Sequence, residues 1–112
     1  ETAQPLLTAR LREETVPAVR REVAMTLLEN ARGQFSTEAV DAAARALPVT
    51  SDASVRVELL RLLGEASRAM PAARATLIAW TAREPEVDLL RVIGAYLTVD
   101  EMRDALRQRA AR

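Results

Sequence analysis

The segment that most constrains the fold is residues 51–66, SDASVRVELLRLLGEA. Set on a helix at ~100° per residue, Val55, Leu59, Leu60, Leu62, Leu63, Gly64 and Ala66 fill an arc of about 200°, whereas Glu58, Arg61, Glu65 and Arg68 share one narrow stripe. A helix on the surface of a globule needs about half that apolar arc. This one must be covered by a partner in its own hairpin and by helices of adjacent hairpins, which places it in the middle of a stack.

A stack requires the pattern to recur on either side. At an offset of 36 residues, PAVRREVAMTLLENA sets Val19, Arg20, Glu22, Val23, Leu27 and Glu29 against Val55, Arg56, Glu58, Leu59, Leu63 and Glu65. At an offset of 30 in the other direction, VDLLRVIG (87–94) matches VELLRLLG (57–64) at almost every position. Near the start of that third unit an offset of 32 aligns better, EPEV (84–87) with DASV (52–55), and a deletion of two residues inside the unit reconciles both.

The prolines punctuate this pattern. Pro5, Pro17, Pro71 and Pro85 stand where helical patterns begin, in the first turn where a missing N–H costs nothing, and Pro48 stands where one ends. Helices are expected at 4–14, 17–32, 37–47, 53–67, 71–83, 85–98 and 99–111. Ser36 and Asp52 are candidate N-caps, and Gly33 a C-terminal stop. Gly64 and Gly94 interrupt good helices at equivalent places, each costing about 1 kcal/mol relative to Ala. That cost points to a site where another helix backbone comes too close for a Cβ.

Strand signals are nearly missing. The expected architecture is all-α, a single domain over 1–112 with three antiparallel helix pairs (about 4–33, 36–68 and 71–98) and a terminal helix, 99–111. The terminal helix carries one apolar stripe, Val99, Met102, Leu106 and Ala110, expected as the covered face of an end cap or of the first helix in a fourth pair. A compact irregular bundle is the alternative if the unequal offsets prevent regular stacking.

DASVR followed by an apolar helix ending LLGEA resembles the second helix of a HEAT repeat, in the short bacterial form, and PAVRREVAMTLLENA and EPEVDLLRVIGAYL resemble degenerate copies. The resemblance implies a right-handed α-solenoid. It also implies a hydrogen-bonded ladder between repeats, carried by an Asp and the Arg of the V-R pair, here Asp52 and Arg56, with Arg20 alone in the first unit. The third unit departs from it, with Asp88 after Val87 where Arg is expected. Independently, the helical wheel turns Arg20 and Arg56 into the apolar arc, where each needs a carbonyl or carboxylate partner.

Chemistry narrows the functional classes. The chain has neither Cys nor His, which removes disulfides, thiolate metal sites and the usual nucleophilic triads, and its three glycines are isolated rather than gathered in a phosphate loop. No catalytic, cofactor-binding or metal-ligating residue is assigned, and the expectation is a protein that is not an enzyme. Acidic and basic residues number 16 each and are interleaved. All 16 basic residues are Arg, a bias read as that of a GC-rich, bacterial genome. No apolar run approaches the roughly 18 residues needed to cross a bilayer. Without an initiator Met or a signal-like segment, Glu1 is expected to mark an excised domain or a processed chain.

The expected function is therefore that of a non-catalytic protein–protein interaction or scaffold module of a larger protein. The resemblance implies that the second helices line the concave side of the array. Their exposed positions would form a ridge of Glu22, Glu58 and Asp88 beside Met25, Arg61 and Arg91, then Glu29, Glu65 and Ala95. The bland reading of the same rows is a lattice of ion pairs without a ligand. A partner on this surface would be a protein or peptide, with Arg61 and Arg91 as anchors. Trp80, on a face with Ala73 and Leu77, is assigned to core packing, Tyr96 to filling space at the thin end of the stack, and Phe35 to stapling a helix start. Two other functions compete: a structural spacer without its own ligand, and a nucleic-acid binder. The latter finds local support only in Arg103, Arg107, Arg109 and Arg112, offset by Asp100, Glu101 and Asp104. Terminal units can also stack on one another, which leaves self-association open.

Overall fold

Pro17 and Pro71 each take the first position of a helix, where φ is already set and no hydrogen bond is lost. The structure, a computed structural model, describes residues 3–110. Among them are seven α-helices and no strand: α1 Ala3–Glu13, α2 Pro17–Ala31, α3 Thr37–Ala46, α4 Ala53–Ser67, α5 Pro71–Thr81, α6 Val87–Gly94 and α7 Val99–Ala110. Pro48 lies in a single 3₁₀ turn, Leu47–Val49, that ends α3. Glu1, the expected last residue of the final helix at 111, and Arg112 lie outside the described residues.

Local chemistry sets the boundaries. Ser36 Oγ accepts from the Ala39 N–H at 3.1 Å and Asp52 Oδ1 from the Ser54 N–H at 2.8 Å, so both expected N-caps are in place. After α2 the chain turns through two left-handed residues, Arg32 at φ 48° and Gly33 at φ 83°, the second of which has the backbone freedom that position needs. The sixth helix is shorter than the expected 85–98. Glu86 adopts an extended cap conformation, and at the other end Tyr96 turns back over α4, its N–H donating to the Ile93 carbonyl at 2.9 Å.

The contacts run in two series: α2 packs on α4 and α4 on α6, while α1 packs on α3, α3 on α5 and α5 on α7. Four helices, α2, α3, α5 and α6, surround α4. Accordingly Val55, Leu59, Leu60, Leu62 and Leu63 have no exposed surface, which is what the wide apolar arc requires. Leu11, Leu27, Leu77 and Ile93 complete the core from the other helices, and Phe35 is buried in it. The third pair is looser than the first two, because α5 packs mainly on α4 and α7 and only lightly on α6.

Two expectations are corrected. Glu58, assigned to the solvated stripe, is 4% exposed, because helices close on α4 from four sides and leave the stripe open only from Arg61 onward. On α7 the buried residue is Ala105, flanked one turn away by half-buried Glu101 and Arg109, whereas Val99, Leu106 and Ala110 are exposed and Met102 half-buried. One ion pair and two charge-assisted hydrogen bonds hold this face against α5. Arg74 of α5 binds Glu101, and Arg109 donates to the carbonyls of Thr81 and Glu84 at 3.3 and 2.6 Å.

Candidate functional site

The six ridge residues lie on α2, α4 and α6 as the spacing requires, but they form separate groups. Asp88 and Arg91 make an exposed pair within α6 at 3.6 Å, Glu58 and Arg61 a pair within α4 at 3.1 Å, and Glu22 is exposed on α2 beside half-buried Met25. One part of the ridge becomes concave. Arg61 and Glu65 of α4, Leu28 and Glu29 of α2, Arg32 in the turn after it, and Tyr96 line a depression of about 380 Å³. Glu29 and Glu65 belong to the third row of the ridge, and Ala95, assigned to the same row, is exposed beyond α6.

Tyr96 gives this depression its form. Its hydroxyl donates to Glu65 Oε2 at 3.0 Å, the Arg68 guanidinium stands 5.8 Å from the ring centroid, and the Cγ–Cδ2–Cε2 side of the ring abuts Gly64. Burial and the neighbouring Glu65 carboxylate both raise the pKa of the phenol. A Cβ on Gly64 would collide with the ring, so the close approach expected there is real but is made by an aromatic side chain rather than a helix backbone. At Gly94 no close approach exists. A Cβ there would meet only Met102 Cε, at 3.9 Å. The signal for Tyr96 was available in the sequence, since it stands 32 residues after Gly64, the offset that opens the third unit.

Behind the ridge runs a polar line that connects the units. Arg20 Nη1 donates to Thr50 Oγ1 at 3.0 Å, and Arg56 Nη1 to the carbonyls of Thr50 and Ser51 at 3.2 and 2.7 Å. Arg56 also forks onto Glu84, Nε to Oε1 at 3.1 Å and Nη2 to Oε2 at 2.9 Å, with both side chains almost wholly buried. Glu84 is the residue aligned with Asp52 at the offset of 32. Asp52 itself turns to its own helix, accepting from the N–H and hydroxyl of Ser54. Sequence reasoning missed Glu84 and Thr50 as partners because Asp52 supplied a nearer carboxylate, which the helix start consumes. Trp80, half-buried, joins the line through Nε1–H to Glu84 Oε1 at 2.8 Å, a role its position beside Ala73 and Leu77 did not reveal. Burial alone would raise the Glu84 pKa, but the Arg56 guanidinium, the Trp80 N–H and the Glu86 backbone N–H together hold it below the usual carboxylate value.

Among the described residues no group of three or more acidic side chains is placed to hold a metal ion, and no helix is long and apolar enough to cross a membrane. Of the arginines that could favour nucleic acid, the three among the described residues are engaged locally: Arg103 with Asp100 at 2.9 Å, Arg107 with Asp104 at 3.6 Å, and Arg109 with the end of α5. No family model, curated protein or solved structure matches this chain. Function must therefore be argued from its surfaces.

Proposed function

We propose that the chain is a non-catalytic protein-interaction module of a larger, bacterial protein, built as a right-handed α-solenoid of HEAT-like helix pairs and needing no cofactor. Two features support the solenoid reading. Like packs on like along both series of helices, and Arg20 and Arg56 reach the following unit from equivalent places. A protein or peptide is the partner that suits such a surface. The depression around Arg61 carries this reading, because it combines an aliphatic side chain, an aromatic ring and exposed charges of both signs. Arg61 is half-exposed and tied only to its own helix, so the open side of its guanidinium can meet a partner's carboxylate while it keeps buried Glu58 paired.

The test is capture by the purified chain from lysate of its source organism, run beside the charge reversal Arg61→Glu with Arg91→Glu. We expect a protein that is retained by the wild type and lost from the folded double variant. Retention by both would remove this surface from consideration. The spacer reading draws on one observation, that Glu58–Arg61, Glu65–Arg68 and Asp88–Arg91 neutralise the ridge from within. Capture of nothing by either form would favour it.

A further inference from the structure

The exposed stripe of α7 is part of a larger surface. Gly94, Leu97, Val99, Met102, Leu106 and Ala110 line an open groove of about 570 Å³ between the end of α6 and α7, and the charged residues lining it are Arg103 and Arg107. Val99 is 72% exposed and Leu106 39%.

The internal repeat shows what covers such a surface. Aligning VDLLRVIG with VELLRLLG places Leu90 on Leu60 and Gly94 on Gly64. In the second unit Leu60 has no exposed surface, and Gly64 is buried under the ring of Tyr96, a residue of the unit that follows. In the third unit Leu90 and Gly94 are only half-buried, and the space over Gly94 is open. The same docking surface thus appears twice, once occupied by a helix with an aromatic side chain at its end. The rim adds a charge preference. Arg103 and Arg107 are engaged by exposed Asp100 and Asp104 on their own helix, pairs that contribute little and exchange freely.

We infer that the α6–α7 groove docks an amphipathic helix of another polypeptide, with an aromatic side chain seated over Gly94 and carboxylates along its flank against Arg103 and Arg107. The apolar positions of α7, spaced at three and four residues, offer the seam on which such a helix lies. This site is separate from the Arg61 depression and does not depend on it.

The probe is a labelled synthetic peptide of residues 84–98, EPEVDLLRVIGAYLT, the segment that occupies the equivalent surface on α4 and that carries three carboxylates and one aromatic. Fluorescence polarisation against the 112-residue chain should show saturable binding. Tyr96→Ala in the peptide should weaken it by about tenfold or more, as should Arg103→Glu with Arg107→Glu in the protein. Gly94→Leu should block the seat and abolish binding while the circular dichroism stays native and the melting midpoint does not fall, because a Cβ fits there. The Arg61→Glu, Arg91→Glu variant should bind the peptide unchanged. Absence of saturable binding, or binding indifferent to Gly94→Leu, overturns the assignment. So does a concentration-dependent dimer in sedimentation that Gly94→Leu dissociates, since the groove would then belong to a second copy of this chain.

Discussion

A carboxylate without exposed surface stays ionised only if its oxygens are occupied, and at Glu84 they are, by Arg56 twice, by the Trp80 indole and by the Glu86 N–H. Glu84→Gln keeps the volume and strands the Arg56 charge. It should cost about 3–5 kcal/mol in urea unfolding at neutral pH. The acid side of the stability profile follows from the same pairing. Glu84 titrates below its ordinary 4.5, and Glu101 is held at about 2 by the Arg74 guanidinium and the Thr98 N–H. A carboxylate depressed in the folded state contributes stability that is complete above the unfolded value and is lost as pH falls through the folded one. The stability that Glu101 contributes should therefore decline between pH 4.5 and about pH 2, and Glu101→Gln should flatten urea midpoints across that interval. At this scale the sequence was half informative. The inward direction of Arg56 follows from the wheel, but its partner does not, because a carboxylate four residues away competed with the correct one twenty-eight away, and only packing decides between them.

Equivalent glycines in two helices have opposite surroundings. Gly64→Ala should drive a methyl into the Tyr96 ring and destabilise the fold by about 1–3 kcal/mol. Gly94→Ala meets open space at the last residue of α6 and should raise stability by some fraction of 1 kcal/mol. Paired thermal melts of the two variants check both signs. Helix positions were legible to within a few residues because prolines, caps and the 3.6-residue period are local signals. The buried face of α7 was not. Its apolar stripe suggested one orientation, while Glu101 and Arg109, the residues that fix the other, read as ordinary surface charge until Arg74 and the end of α5 are brought beside them.

For the whole molecule, α4 predicted its own central position because an apolar arc of that width cannot be covered by fewer neighbours. The looseness of the third pair left no trace in the pattern, since VDLLRVIG is as apolar as its counterpart. A stack held together only by nearest-neighbour contacts melts unit by unit from its ends. Glu84 works against that here. Its side chain is bound to α4 and to Trp80 of α5, its second oxygen receives the N–H that precedes α6, and its carbonyl receives Arg109 of α7. Unfolding any one of these four helices disturbs the same residue. Denaturant transitions followed by Trp80 fluorescence and by far-ultraviolet circular dichroism should accordingly coincide in the wild type. In Glu84→Gln they should separate, with the tryptophan signal lost first. A single side chain would then set whether this chain melts as one cooperative body or frays as a string of hairpins.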